Sequence, residues 1–267
     1  MTGPIPTAPL LIHTTDARGV HTLTLNNAKS FNLLSEAMLD LLLESVNRIN
    51  GDPQARAVVI AAVGQAFCAG HNLKEMAAHP ELANYQKLFA KCTRFMLALQ
   101  NLPVPVVAKV QGLATAAGCQ LVAQCDLAVA SDQATFGVNG IDVGLFCATP
   151  SVPLVRNIPV KQALEMLLTG NFISADEARL RGLVNRVVPT AMLDAEVQAL
   201  VLSILQKPQA AVAMGKALFY KQQGMGIDAA YQLANQAMAI NMMHPVAQEG
   251  VRAFIDKRKP QWPTAAP

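Results

Sequence analysis

Apolar and polar positions alternate in two different ways along this chain. In "GVHTLTLN" (19–26) the period is two, which predicts a strand, and "AVVIAAV" (57–63) is a short β-branched run that predicts a buried one. "LSEAMLDLLLESVNRIN" (34–50) instead repeats its apolar residues at helical spacing and stops at the turn "NGD". After the second strand come a loop containing "GQAFCAGHN", a helix to about residue 101 and a strand at "PVVAKVQG". A helix opening near Ala117 and a strand at "DLAVAS" (126–131) complete this half. Such alternation predicts an α/β fold with a largely parallel sheet. The order of strand, loop and helix returns about every 50 residues, a loose spiral without sequence repetition.

From about residue 150 the pattern is mostly helical. "SADEARLRGLVNRVVP" (174–189) places Ser174 and Glu177 in capping-box register and ends its helix near Gly182. Stretches near 191–205, 208–223 and 228–241 carry Met and Ala on their apolar faces, a composition suited to packing, within the chain or between subunits.

Composition narrows the class. With 267 residues, 52% hydrophobic and 15% charged, the chain can bury a large core, so one large domain, alone or with a small appendage, is expected. Twenty-one basic against 18 acidic residues give a net charge of +3, and no basic run exceeds Lys257, Arg258 and Lys259, which is too little for a nucleic-acid footprint. Lys109, Asp126 and prolines cut the apolar runs before the ~20 residues a bilayer span requires. No basic residue precedes Arg18, unlike a secretory leader or an Arg-rich transit peptide, so a cytoplasmic setting is expected. The five cysteines (68, 92, 119, 125, 147) lack CxxC spacing and read as reduced, buried thiols. The five histidines (13, 21, 71, 79, 244) lack HxxxH spacing, so no metal site is implied, and no GxGxxG follows a predicted strand to hold a nicotinamide cofactor.

The candidate chemistry sits in two loops of small residues. "LATAAGCQL" (113–121) opens a helix whose first N–H groups lack intrahelical partners, and its Ala and Gly side chains let a ligand approach the backbone. "FCAGHNL" (67–73) follows its own strand in the same way. Two such loops at adjacent strand ends can each aim one N–H at a single carbonyl oxygen, forming an oxyanion hole.

"AFCAGHNLKEM", "VPVVAKVQGLATAAGCQLVAQCDLAVASDQATFG" and "ISADEARLRGLVNRVVP" resemble successive signature blocks of the crotonase (enoyl-CoA hydratase/isomerase) superfamily. The likeness runs from "LTLNNAKSFNLLSEAML" to "FIDKRKPQW", nearly the whole chain. It implies a ClpP/crotonase-like spiral of ββα units, an acyl-CoA-binding core over residues 1–200 and a helical C-terminal region, 201–267, that assembles a trimer or a dimer of trimers. It also implies a coenzyme A thioester whose carbonyl oxygen lies between the backbone N–H groups of His71 and Ala117, with Gly70 and Gly118 giving room. The carbonyl oxygens around Ala69 and His71 would meet the adenine, and Asn72 and Leu73 are further substrate-binding positions. Lys29, Lys74, Lys257, Arg258 and Lys259 would stand near the phosphates. Coenzyme A enters as part of the substrate, and no tightly bound cofactor or metal is implied.

The resemblance breaks at the two glutamates with which hydratases of this family hold and activate water. Their positions here are Gln120 and Gly140, and neither can take up a proton near neutral pH. Each positioned acid or base contributes about 10²–10⁴ in rate, so ordinary hydration should be nearly abolished while the oxyanion hole still stabilises an enolate. Three readings stay open: a hydratase-like enzyme of fatty-acid metabolism, an acyl-CoA-binding protein without efficient chemistry, and a decarboxylase or other lyase. The last would use His71 as proton donor, or Asp142, which points to the Gly140 side if its loop is extended. Asn139, Cys147 and Thr149 are further candidates.

Overall fold

The computed structural model describes residues 8–262, so the first seven residues of the N-terminal stretch and the last five of the C-terminal region lie outside it. The chain opens with β1 (Leu11–Thr15), β2 (Val20–Leu25), α1 (Glu36–Asn50), β3 (Ala57–Ala62) and β4 (Ala66–Cys68). Next come α2 (Leu73–Ala78), α3 (Leu82–Asn101), β5 (Val106–Val110), β6 (Leu113–Thr115), α4 (Ala117–Gln124), β7 (Leu127–Ser131) and β8 (Thr135–Gly137). Then follow α5 (Ala148–Asn157), α6 (Val160–Thr169), β9 (Ile173–Ser174), α7 (Ala175–Arg181) and β10 (Arg186–Val188). Four helices complete the described chain: α8 (Leu193–Leu205), α9 (Gln209–Gln222), α10 (Ile227–Met243) and α11 (Pro245–Ile255).

Two sheets organise these elements, one of six strands in the order β1-β2-β3-β5-β7-β10 and one of four in the order β4-β6-β8-β9. β1 is antiparallel to β2 and β9 to β8, and the other pairs are parallel. Each spiral turn therefore crosses the large sheet (β3, β5, β7), then the small one (β4, β6, β8), and leaves as a helix. The ends of β4 and β6, neighbours in the small sheet, bring the two small-residue loops side by side.

Strand alternation builds two cores. Val58, Ile60, Val106 and Ala108 face the main core with α1, α3 and α4, whereas Val59, Val107 and Val129 turn to the other face and meet Leu193, Val197, Leu200 and Val201 of α8. Ser35 caps α1 by accepting from the Met38 N–H, and Ser174 caps α7 by accepting from the Glu177 N–H. Gly182 ends α7 at φ +89°, in the left-handed conformation that a Schellman-type stop favours.

Several elements depart from the periodicity reading. The single helix expected up to residue 101 is two, because the segment around Pro80 interrupts it and Asn72 starts a separate short turn. The "GQAFCAGHN" loop contains β4, three residues too short to show a period. Beyond α8, the helices bury almost nothing in this chain: Tyr231, Met238, Met243, Phe254 and Ile255 are exposed, and Ala253 is buried. α9 is nonetheless tied to the core, since Lys216 donates to Leu99 O and Val104 O (both 3.0 Å) and to Asp126 Oδ2 (2.6 Å), while the Tyr220 hydroxyl donates to Asp126 Oδ1 (2.7 Å). No helix among the described residues is long and apolar enough to cross a membrane.

Candidate active site

The two loops are built against each other. Gly70 adopts φ +90°, a conformation open to glycine, and a Cβ added to it would lie 3.0 Å from Ala116 Cβ and 3.2 Å from the Ala117 amide nitrogen. The segment before α1 clamps this loop from the other side: Ala69 N–H donates to Phe31 O (3.0 Å) and Leu34 N–H to Gly70 O (2.8 Å). Phe31 and Asn32 are themselves left-handed, at φ 50° and 54°, and buried Asn32 holds them by donating to Val63 O and Ala66 O, both at 2.8 Å.

The partner loop approaches even more closely. A Cβ on Gly118 would sit 1.9 Å from Cys68 O, so only glycine lets α4 rest on β4. Ala116, the residue before α4, has φ 49° and ψ −120°, a strained conformation for any side-chain-bearing residue. It turns the chain so that α4 starts beside Gly70. Among the described residues, no acceptor is found for the backbone N–H of His71 or of Ala117. Two unpaired donors on abutting loops, one of them at a helix N-terminus, make a place for a partly negative oxygen.

The side chains around this pair are largely uncharged. Gln120, one turn into α4, is 4% exposed, and its Oε1 is buried with no hydrogen-bond partner. The His71 ring meets Phe89 of α3 edge-on with 5.7 Å between centroids, and its Nδ1 lies 3.2 Å from Leu34 O. Burial holds its pKa below the ordinary imidazole value, with the bond to Leu34 opposing. A neutral ring whose Nδ1–H donates to a carbonyl keeps a lone pair on Nε2.

Gly140 offers no room for a side chain. It lies in a 3-10 turn, Asn139–Val143, and a Cβ there would be 2.3 Å from Leu145 O and 2.8 Å from Cys147 Sγ. Its N–H donates to Cys147 Sγ at 3.3 Å, and Leu145 N–H donates to Gly140 O at 2.9 Å. The turn is helical, not extended. It leaves Asp142 exposed, with its carboxylate beside Gly170 at the end of α6: a Cβ on Gly170 would be 2.8 Å from Asp142 Oδ1. Asn139 reaches the partner loop, accepting from Thr115 Oγ1 at 2.6 Å.

The remaining positions divide plainly. Lys29, Lys74, Lys257 and Lys259 are exposed, whereas Arg258 is paired with Glu249 at 2.7 Å. Asn72 Oδ1 caps α2 by accepting from Lys74 N–H (3.1 Å), Leu73 is exposed, and Ala69 is half-buried. The thiols of Cys68, Cys92 and Cys119 are buried, and burial pushes each up to about 12. What the sequence reading missed was the strain at Ala116 and the Cys147 contact. Neither carries a local signal, since alanine rarely marks a left-handed turn and the contact joins residues across a loop.

Comparison with known proteins agrees with this fold. The family model described as enoyl-CoA hydratase/isomerase matches residues 15–265. Enoyl-CoA hydratase domain-containing protein 3, mitochondrial, from Xenopus laevis is 46% identical over 244 residues, covering 91% of this chain and 83% of that protein. A solved enoyl-CoA hydratase from Mycobacterium smegmatis superposes with a TM-score of 0.95 at 59% identity, covering 96% of this chain and all of that one. The solved human enoyl-CoA hydratase domain-containing protein 3 gives a TM-score of 0.91 at 43% identity, over 95% of this chain and all of that one. The rat and human sequences carry the same name, "mitochondrial" included, and this overturns the cytoplasmic expectation. Targeting is read from a leader by composition, and the folded region keeps no trace of it. By its sequence, its crotonase spiral and its paired loops, the chain belongs to the enoyl-CoA hydratase/isomerase family.

Proposed function

We propose that this protein binds an acyl-CoA thioester with the carbonyl oxygen between the N–H groups of His71 and Ala117, and does so without the glutamate pair of a hydratase. The observation that carries the reading is the pair of unpartnered backbone donors on two abutting loops. A thioester oxygen becomes more negative as an enolate forms, so the same donors favour enolate chemistry over simple binding. Water addition to a 2-enoyl-CoA needs a proton acceptor beside the water as well, and neither Gln120 nor Gly140 supplies one. Lys29 and Lys74 are the cations assigned to the coenzyme A phosphates, and coenzyme A is part of the substrate.

The exposed apolar residues of α10 and α11 support assembly through the region 201–267 into a trimer or a dimer of trimers, because so much uncovered hydrophobic surface is unusual for a monomer. The relatives' names support a mitochondrial setting.

The test is calorimetric binding of acetyl-CoA to the purified protein beside a crotonyl-CoA hydration assay. Binding with negligible hydration is expected. Absence of thioester binding would refute the site, and rapid hydration would refute the account of Gln120 and Gly140.

A further inference from the structure

Two buried acceptors near the oxyanion pair have no donor: His71 Nε2 and Gln120 Oε1. A buried acceptor without a protein donor is free to take a hydrogen bond from a ligand or from water. Both belong to the two abutting loops or the helix that follows one of them. On α4, Gln120 and Gln124 share a face one turn apart, and Gln124 Nε2 donates to Gln100 Oε1 of α3 at 3.2 Å. Three turns earlier on α3, Phe89 meets the His71 ring, while the start of α4 abuts Gly70. α4 thus lies along α3 between the His71 and Gln100 ends, with Gln120 on its α3-facing side.

The position of the His71 proton is set by its neighbour. Leu34 O accepts from Nδ1–H, leaving Nε2 as the basic nitrogen on the residue whose own amide faces the candidate carbonyl site. Beside this loop stand the thiols of Cys68 on β4 and Cys92 on α3, pushed up to about 12 and neutral near pH 7, and the exposed side chains of Lys74 and Glu75 on α2 and Glu36 on α1; no charged side chain contributes to the His71 shift.

We propose that the His71 imidazole is the base of this site, its Nε2 removing a proton from C2 of the bound acyl thioester. The C2–H bond breaks, its electron pair forms the C1–C2 double bond, and the carbonyl π pair moves onto the thioester oxygen held by the N–H groups of His71 and Ala117. The proton resides on Nε2, and Gln120 Oε1 is a neutral acceptor on the α3-facing side of α4. Nothing leaves, and return of the proton, or of a deuteron from solvent, regenerates the thioester. The inference rests on the thioester reading above and adds to it a base that the two glutamate positions lack.

The test is exchange of the C2 protons of butyryl-CoA in D2O, followed by proton NMR, with calorimetric binding of the same thioester alongside. The unmodified protein is expected to exchange these protons well above the buffer rate and to slow as the ring is protonated below neutral pH. His71→Ala keeps the backbone N–H and should exchange about 10²–10⁴ more slowly, with part of the rate restored by added imidazole. His71→Gln, closer in size, should show the same loss and covers the case in which the alanine variant does not fold. Binding without exchange in the unmodified protein, or undiminished exchange in the folded His71 variants, would overturn the base and leave the thioester reading intact. Absence of binding would overturn both.

Discussion

Adding a side chain at Gly140 is expected to disrupt the turn that carries it, so restoring the glutamate pair should fail to restore hydration. A Cβ at this position would sit 2.3 Å from Leu145 O, against an ordinary contact beginning near 3.4 Å, so that oxygen must retreat by about 1 Å. The retreat is opposed by the Leu145 N–H bond to Gly140 O (2.9 Å) and by the Gly140 N–H bond to Cys147 Sγ (3.3 Å). Overpacking of this kind costs about 1–3 kcal/mol, and loss of one hydrogen bond adds about 1 kcal/mol. Gly140→Ala should therefore destabilise the protein by about 2–4 kcal/mol, or lower Tm by about 5–10 °C. Urea and thermal unfolding measure this directly. The functional arm compares crotonyl-CoA hydration by Gln120→Glu and by Gln120→Glu with Gly140→Glu, and the second change should add nothing. The reasoning fails if Gly140→Ala unfolds with the unmodified protein, or if the double variant hydrates much faster than the single one.

Three further outcomes follow from the geometry. Ala116→Gly should raise stability by about 0.5–2 kcal/mol, since it relieves about 1–3 kcal/mol of strain and gives back about 0.5–1 in unfolded-chain entropy, and a lower Tm would contradict the strain assigned to φ 49° and ψ −120°. Lys216→Met leaves the Asp126 carboxylate buried without its cation and should cost about 3–5 kcal/mol in urea unfolding, partly recovered by adding Asp126→Asn, and a near-neutral single variant would show that this pair does not anchor α9. Burial lowers the pKa of both His13, with help from His21 and Arg48, and His71 from 6.5, so the unfolded chain binds more protons than the folded one just below that value. Stability should then be full above about pH 6.5 and decline as pH falls through the lowered values, a Tm difference that His71→Gln should shrink and that a flat Tm profile would exclude.

How much of this was legible in the sequence depends on how far each interaction reaches along the chain. Helix α1, strand β3 and the Ser174 cap follow from neighbours within a turn or two, and all three appear in the hydrophobic pattern. The two abutting loops were legible for a different reason: small residues after two strands imply accessible amides wherever the strands lie. The break between α2 and α3 was not anticipated although Pro80 marks it, because the apolar spacing continues on both sides.

The Gly140 turn shows the limit most clearly. A glycine where a glutamate is expected reads as a simple deletion of a side chain, which suggests an empty space awaiting one. In the fold that space is filled by Leu145 O and Cys147 Sγ from farther along the same loop. A glutamate here would therefore need a different backbone course, and the turn as built leaves Asp142 exposed beside Gly170. Gln120 has no such substitute: its helix keeps its place, its amide stays buried, and its oxygen lacks a partner. One position is filled by backbone and the other by a buried amide, and since neither supplies a base, the search for one leads away from the Gly140 loop and toward the His71 ring.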